Sequence, residues 1–266
     1  GLHGVGASVV NALSSRLDVE VDRAGQTWAM SFHRGEPGVF AGDGPDADFR
    51  PFVDKSELRV VGKVSKSKTG TRVRYWPDSQ IFEPGADFQM QDLEGRLRQT
   101  AFLVPGLVLS VHDELSEVSQ EFVFEGGIAE YVEYLATDGP VLATRRIQET
   151  TSFRETVPVL DEASGSMKSK EVERNCVVDV ALRWGSGFDT KVKSFVNIIS
   201  TPKGGSHLTG FEQALLKSFR AAIEVNARKL KATSLKIERD DVMAGLTAVV
   251  SVSFPEPQFE GQTKET

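Results

Sequence analysis

Residues 1–32, GLHGVGASVVNALSSRLDVEVDRAGQTWAMSF, set a glycine-rich turn, a short amphipathic run and two alternating runs in direct succession. Val9, Val10 and Leu13 recur at near-helical spacing, which predicts a short helix beginning at about Gly6 or Ala7 with the glycines at its N-terminus. In "LDVEVDR", Leu17, Val19 and Val21 alternate with Asp18, Glu20 and Asp22, and after Ala24 and Gly25 the alternation resumes in "QTWAMSF". A period of two sends successive side chains to opposite faces, so the two runs predict a hairpin with one buried face.

Outward from the hairpin the same reading continues. "ELRVVGKV" and "GTRVRYW" predict two more strands, joined through the basic loop "SKSKTG". Asp87 is placed to cap a helix whose stripe is Met90, Leu93, Leu97, Ala101 and Val104, and Pro105 ends it. Strands "LVLSVHD" and "EFVFEG" follow. At Gly126 and Gly127 the pattern pauses, and "IAEYVEYLA" starts a helix with Ile128, Val132 and Leu135 on one stripe, so the domain boundary is expected there, giving domains 1–126 and 127–266. "TTSFRETVPV", "ERNCVVDVALRW" and "KVKSFVNIIS" predict strands, with "DEASGSMKSKE" between the first two as a loop. "SHLTGFEQALLKSFRAAIEVNARKL" predicts a long helix facing inward through Leu208, Phe211, Leu215, Phe219, Ala222 and Ile223, and "LTAVVSVSF" closes the chain as a strand. The two halves are different α+β domains with no internal repeat.

The chain has 266 residues, enough for one or two domains, and no run of about 18 apolar residues, so neither a membrane span nor a signal peptide is expected and the location expected is cytoplasmic. Its single cysteine, Cys176, excludes an internal disulfide and a cysteine-based zinc site. A net charge of −7 argues against coating by nucleic acid over the whole surface and leaves a local basic face open.

Two readings attach to the opening glycines. N–H groups at a helix N-terminus point outward, and glycine lets a phosphate oxygen come close to the backbone; equally, a glycine turn can serve tight packing. The spacing fits neither G-x-G-x-x-G after a strand nor a P-loop. His207, after Gly204 and Gly205, has no partner cluster that would make it a base or a metal ligand, and Ser206 is placed to cap the long helix. Lys217, Arg220 and Arg228 recur at roughly helical spacing, with Lys229 and Lys231 nearby, as either a solvated helix face or a wall facing DNA.

Four ordered stretches resemble one family, the B subunits of bacterial type IIA topoisomerases, DNA gyrase and topoisomerase IV. These are "GLHGVGASVVNALS", "KTGTRVRYWPD", "TPKGGSHLTGF" and "PEPQFEGQTK". The resemblance spans essentially the whole chain. It implies an α+β fold: the later part of an ATPase domain of the gyrase, chaperone, histidine kinase and MutL superfamily, a β-sheet with helices on one face, then a transducer domain like the second domain of ribosomal protein S5. It implies nucleotide contacts from Gly1, Leu2, His3, Gly4, Val5, Gly6 and Ala7 at the phosphates, Thr71 near the adenine and Val73 on the apolar floor. Arg23 would lie at the pocket mouth that aminocoumarins reach, and Gln262 and Lys264 on a loop that senses the γ-phosphate. "DDVMAGLTAVVSV" departs from relatives that carry Arg-Glu where this chain has Met243 and Ala244.

The resemblance also implies ATP and Mg2+ in the complete protein, with DNA, a second copy of the chain and the topoisomerase A subunit as partners. The family's general base and magnesium ligand belong to motifs upstream of Gly1, so no catalytic residue, no metal ligand and no ATPase activity are expected from these residues alone. Two other readings share parts of the pattern: a DNA-repair clamp of the MutL type, and a non-catalytic interaction module in which the glycine turn only packs. Gyrase and topoisomerase IV share every motif quoted.

Overall fold

The computed structural model describes residues 5–161, 165–232, 236–257 and 259. The chain is mixed α+β and divides into two compact units, Gly1–Phe88 and Gln89–Thr266. Among the described residues no helix is long and apolar enough to cross a membrane.

The first unit holds α1 (Val5–Ala12) and six strands: β1 (Ser14–Arg23), β2 (Gln26–His33), β3 (Glu36–Phe40), β4 (Phe49–Pro51), β5 (Arg59–Lys63) and β6 (Gly70–Pro77). The sheet order is β4-β3-β2-β1-β6, with β5 also on β2, and every pair is antiparallel. Ala24 (φ +53°) and Gly25 (φ +83°) form the two-residue turn that carries β1 into β2 with the twist the strands require. Cross-strand partners put Leu17, Val19 and Val21 on one face with Phe32, Met30 and Trp28. The expected hairpin is present, but its apolar face is only half-buried beyond Leu17, and the buried Ala29 and Ser31 lie on the other face, opposite Glu20 and Asp18.

The second unit holds α2 (Met90–Leu103), the hairpin β7 (Leu109–Asp113) and β8 (Val118–Phe122), α3 (Ile128–Leu135), β9 (Arg145–Asp161), β10 (Ser166–Trp184), β11 (Lys191–Val196), β12 (Ile199–Ser200), α4 (Ser206–Leu230), α5 (Arg239–Met243) and β13 (Leu246–Ser253). Its main sheet runs β12-β11-β13-β10-β9, with β11 parallel to β13. The central strands are covered on both faces. Ala181, Phe195 and Val249 meet Ile128 and Val132 of α3, while Val180, Leu182, Ala248 and Val250 meet Phe211 and Leu215 of α4. A fully buried side chain such as Leu246 or Phe195 contributes about 1.5–3 kcal/mol. Phe102 of α2 lies in the same core, stacked on Tyr131 at 4.7 Å and on Phe124 at 3.7 Å. The contact boundary between the units therefore falls at Phe88 and Gln89, and the Gly126–Gly127 pause marks the start of α3.

Four local expectations are corrected. Asp87 does not cap α2: the N-cap is Gln89, without a side-chain cap, and the Asp87 carboxylate accepts the neighbouring N–H of Phe88. Ser206 does not cap α4 either, because the N-cap is Gly205 (φ +143°). "DEASGSMKSKE" is mostly strand: β10 begins at Ser166, and Met167, Lys168 and Lys170 face Leu160, Val159 and Val157 in a long hairpin. The inward stripe of α4 is only partly covered, with Leu208, Phe211, Leu215 and Ile223 half-buried. Phe219 still meets Trp184 edge-on at 5.4 Å, but Ala222 is exposed, and so are Val225 and Leu230 further on. Length explains this: 25 helical residues run roughly 37 Å. The eight residues of β13 beneath them run roughly 26 Å.

Candidate functional site

The opening helix is tied at its far end, and its first described residues are exposed. Leu13 N–H donates to Val9 O at 3.0 Å, the Ser14 hydroxyl to Val10 O at 2.6 Å, and Asp78 N–H to Leu13 O at 3.0 Å, so α1 passes directly into β1 beside the end of β6. Asp78 is buried, and the Arg34 guanidinium, with help from the Gln80 N–H, holds its carboxyl below the usual carboxylate range. Val5, Gly6 and Ala7 are exposed. Gly6 has helical backbone angles, and among the described residues no atom lies within 4 Å of where a Cβ would stand. Neither tight packing nor a left-handed turn calls for glycine at that position, which leaves the turn accessible to an external group.

Register sets the rest of this face. Thr71 lies opposite Val21, Val73 opposite Val19 and Tyr75 opposite Leu17, so all three share the apolar face of the sheet. Ion pairs on the other face fix that register: Arg72 with Glu20 at 2.5 Å and Lys68 with Asp22 at 2.8 Å. Hydrogen bonds from Lys68 and Thr27 hold the Asp22 carboxyl below its ordinary value. Thr71 is exposed, Val73 is 54% exposed and Tyr75 39%, so the apolar face is open along β6. A cavity of about 310 Å³ opens beside it, lined by Val10 and Leu13 at the end of α1, Tyr75 and Pro77 of β6, and Phe82 and Phe88. Arg23 is exposed where the β1–β2 turn begins. Among the expected nucleotide contacts, Gly1, Leu2, His3, Gly4, Gln262 and Lys264 lie outside the described residues.

Lys217, Arg220 and Arg228 are exposed on α4, as their spacing predicted, but they are not equivalent. Arg220 donates through Nε and Nη2 to Ile237 O at 3.0 and 2.7 Å and so fastens the segment after α4 to the helix. Arg228 and Lys229 stand in the last turn, where cations complement the helix dipole. His207 is hydrogen-bonded to the Thr201 hydroxyl at 3.1 Å, and burial pushes its pKa down. Cys176 is buried, which raises its thiol pKa. Among the described residues no group of three or more His, Cys, Asp or Glu is placed to hold a metal ion. Met243, at the departure from the usual pattern, is a core residue packed with Val180, Leu182 and Leu246.

Sequence reasoning missed the anchoring of the chain after β13. Asn197, read as part of a strand, holds Phe254 through both ends of its side-chain amide. An asparagine between two apolar runs is a turn signal, but the usual following glycine is replaced by Ile198.

Comparison with known proteins gives a consistent result. A family model described as DNA gyrase B matches residues 127–266. The DNA gyrase B protein of Haloferax volcanii is 38% identical over 264 residues, 99% of this chain and 36% of that protein, and the gyrase B protein of Borreliella burgdorferi is 37% identical with the same shares. The chain thus spans about a third of the length of the curated relatives it matches. Two solved structures align along nearly all of it. One is the 43K ATPase domain of Thermus thermophilus gyrase B in complex with an aminocoumarin, with TM-score 0.66 and 34% identity over 98% of this chain and 61% of that one. The other is the topoisomerase IV ATP-binding domain of Francisella tularensis in complex with a small-molecule inhibitor, with TM-score 0.70 and 27% identity over 99% and 61%.

Proposed function

Because the match to its model covers more than half of the residues, this chain belongs to the DNA gyrase B family, and from that premise we propose that it is the ATP-responsive region of the B subunit of a type II DNA topoisomerase. In this reading residues 1–126 are the later part of an ATPase domain and residues 127–266 a transducer. The observation that carries the nucleotide assignment is the backbone at Gly6, unstrained and without a neighbour among the described residues, at the start of a helix whose first N–H groups have no acceptor within the helix.

The chemistry follows from the residues. The first turn of α1 presents N–H donors and the positive end of the helix dipole to phosphate oxygens, and Gly6 lets them approach. Thr71 offers a hydroxyl to the base and Val73 an apolar surface beneath it. Lys264, with Gln262, compensates charge present only while the terminal phosphate is attached, so that nucleotide state is coupled to the conformation of the protein. Mg2+ bound with the nucleotide would neutralise phosphate charge. At the level of the whole protein, nucleotide binding closes a dimer around DNA held with the A subunit, and Lys217 and Arg228 of α4 contact the DNA backbone.

The test is Lys264→Ala in a full-length protein carrying this sequence. Loss of one charge-assisted hydrogen bond, about 1.5–3 kcal/mol, should weaken binding of a nonhydrolysable ATP analogue roughly ten- to a hundredfold and leave ADP affinity unchanged. Equal losses for both nucleotides would show that Lys264 supports the fold or the diphosphate and would overturn the sensing role.

A further inference from the structure

Strands β11 and β12 are joined by Asn197 and Ile198 alone, since Val196 pairs with Ile199. Both turn residues are left-handed, at φ +46° and +65°. Asparagine suits such a turn, whereas a β-branched residue at positive φ is an outlier that the surrounding structure must hold in place. Asn197 supplies a hold of its own. Its Nδ2 donates to Phe254 O at 2.7 Å, its Oδ1 accepts the Phe254 N–H at 2.8 Å, and its main-chain N–H donates to Val252 O at 2.9 Å.

The side-chain amide thus pairs with the main chain of Phe254 as a neighbouring strand would. It extends the parallel β11–β13 ladder, which ends at Val196 opposite Val252, by one further step. A side chain takes this role because the main chain of β11 turns away at Asn197, and Pro255 and Pro257, with no N–H to donate, cannot carry the ladder further. Two more contacts hold the same stretch: Phe153 of β9 meets the Phe254 ring edge-on at 5.7 Å, and Arg174 Nη2 of β10 reaches Glu256 Oε2 at 3.2 Å.

We propose that Asn197, assisted by Arg174, is a positioning residue that fixes the chain leading from Phe254 toward Gln262 and Lys264, and so sets how strongly those two residues respond to the terminal phosphate. This rests on the phosphate-sensing reading of Lys264. The physical reason is entropic: an ammonium recognises a phosphate tightly only if its chain is already ordered, and each residue set free must be ordered again on binding, at a cost of about tenfold in affinity.

The variant that isolates the amide is Asn197→Gly, because glycine adopts φ +46° without strain and keeps the turn while removing both side-chain hydrogen bonds. In a full-length protein carrying this sequence, Asn197→Gly should lower affinity for a nonhydrolysable ATP analogue, and kcat for ATP hydrolysis, by about tenfold with ADP affinity unchanged. Asn197→Asp keeps the acceptor for Phe254 N–H and loses the donor, so it should fall between. Glu256→Gln, at an exposed position, should show a smaller loss with the same selectivity. Lys264→Ala measured alongside separates the two ideas. A selective loss for Lys264→Ala with none for Asn197→Gly, or equal loss of ADP and analogue for Asn197→Gly, overturns the positioning role and leaves the sensor standing. No selective loss for Lys264→Ala removes the sensor and this inference with it.

Discussion

Replacing Gly6 by alanine separates the two uses of a glycine turn, because they predict opposite signs. Gly6 lies in the first turn of α1, with helical backbone angles and, among the described residues, no atom within 4 Å of an added Cβ. Nothing among the described residues opposes the methyl, and alanine both favours the helix and narrows the unfolded ensemble, so Gly6→Ala should stabilise by about 0.5–1 kcal/mol. For a unit of this size that is a rise in Tm of about 2–8 °C. Where the backbone N–H groups cradle phosphates, the same methyl stands in the path of a phosphate oxygen, and nucleotide affinity should fall by tenfold or more, at a cost of about 1.4 kcal/mol for each factor of ten. The assay is a thermal melt of the full-length protein with and without a nonhydrolysable ATP analogue. The variant should melt higher without nucleotide and gain less from it, since stabilisation by a ligand scales with the logarithm of its concentration over Kd. A variant that melts higher and binds the analogue unchanged would refute the cradle. One that melts lower without nucleotide would return the glycine to a packing role.

Three further outcomes test α4 and its entry. Lys217→Gln with Arg228→Gln should reduce the salt dependence of DNA binding by up to about two units of slope and leave thermal stability within a few tenths of a kcal/mol, and an unchanged slope would make them a solvated helix face. Arg220→Gln should instead lower Tm, because it releases Ile237 O from two hydrogen bonds, and a lowered salt slope with unchanged Tm would contradict that structural role. Burial holds His207 below its ordinary 6.5, so the folded state binds its proton less readily than the unfolded one. The resulting stability is complete above pH 6.5 and is lost as pH falls through the lowered folded value. Melts of His207→Gln should therefore depend less on pH below 6.5 than those of the parent, and parallel curves would count against it.

What could be read from sequence is what period and local chemistry determine. The β1–β2 hairpin follows from strict alternation around Ala24 and Gly25, and α3 starts at Ile128, just after the Gly126–Gly127 pause. The outer end of β10 could not be read in this way, although its partner in β9, "TTSFRETVPV", was. "DEASGSMKSKE" has no apolar run, and its strand state comes from cross-strand pairing over a register such as Met167 with Leu160, which composition does not encode. Asp87 and Ser206 are good capping types, but a cap is defined by backbone angles, and those place Gln89 and Gly205 at the N-cap positions instead. Arg220 has the spacing of a surface cation, and its partner lies 17 residues away, beyond the reach of any helical period.

The remaining misreadings have a common location. Asn197 sits at positive φ beside a β-branched residue at positive φ, and α4 is entered through Gly204 and Gly205, both at positive φ, with no side-chain cap. Val196, Gly205, Ser206 and Phe254 line a single cavity of about 520 Å³ at the end of the sheet where the chain leaves β13. Local rules give way where tertiary contacts over-determine the backbone, and such positions gather where a protein needs geometry more than stability. Here the over-determined residues surround Phe254, ten positions before Lys264. If the strain served only to close a hairpin, the Asn197 side chain would have no reason to pair with both the carbonyl and the N–H of Phe254, the last residue before Pro255 removes a donor from the chain.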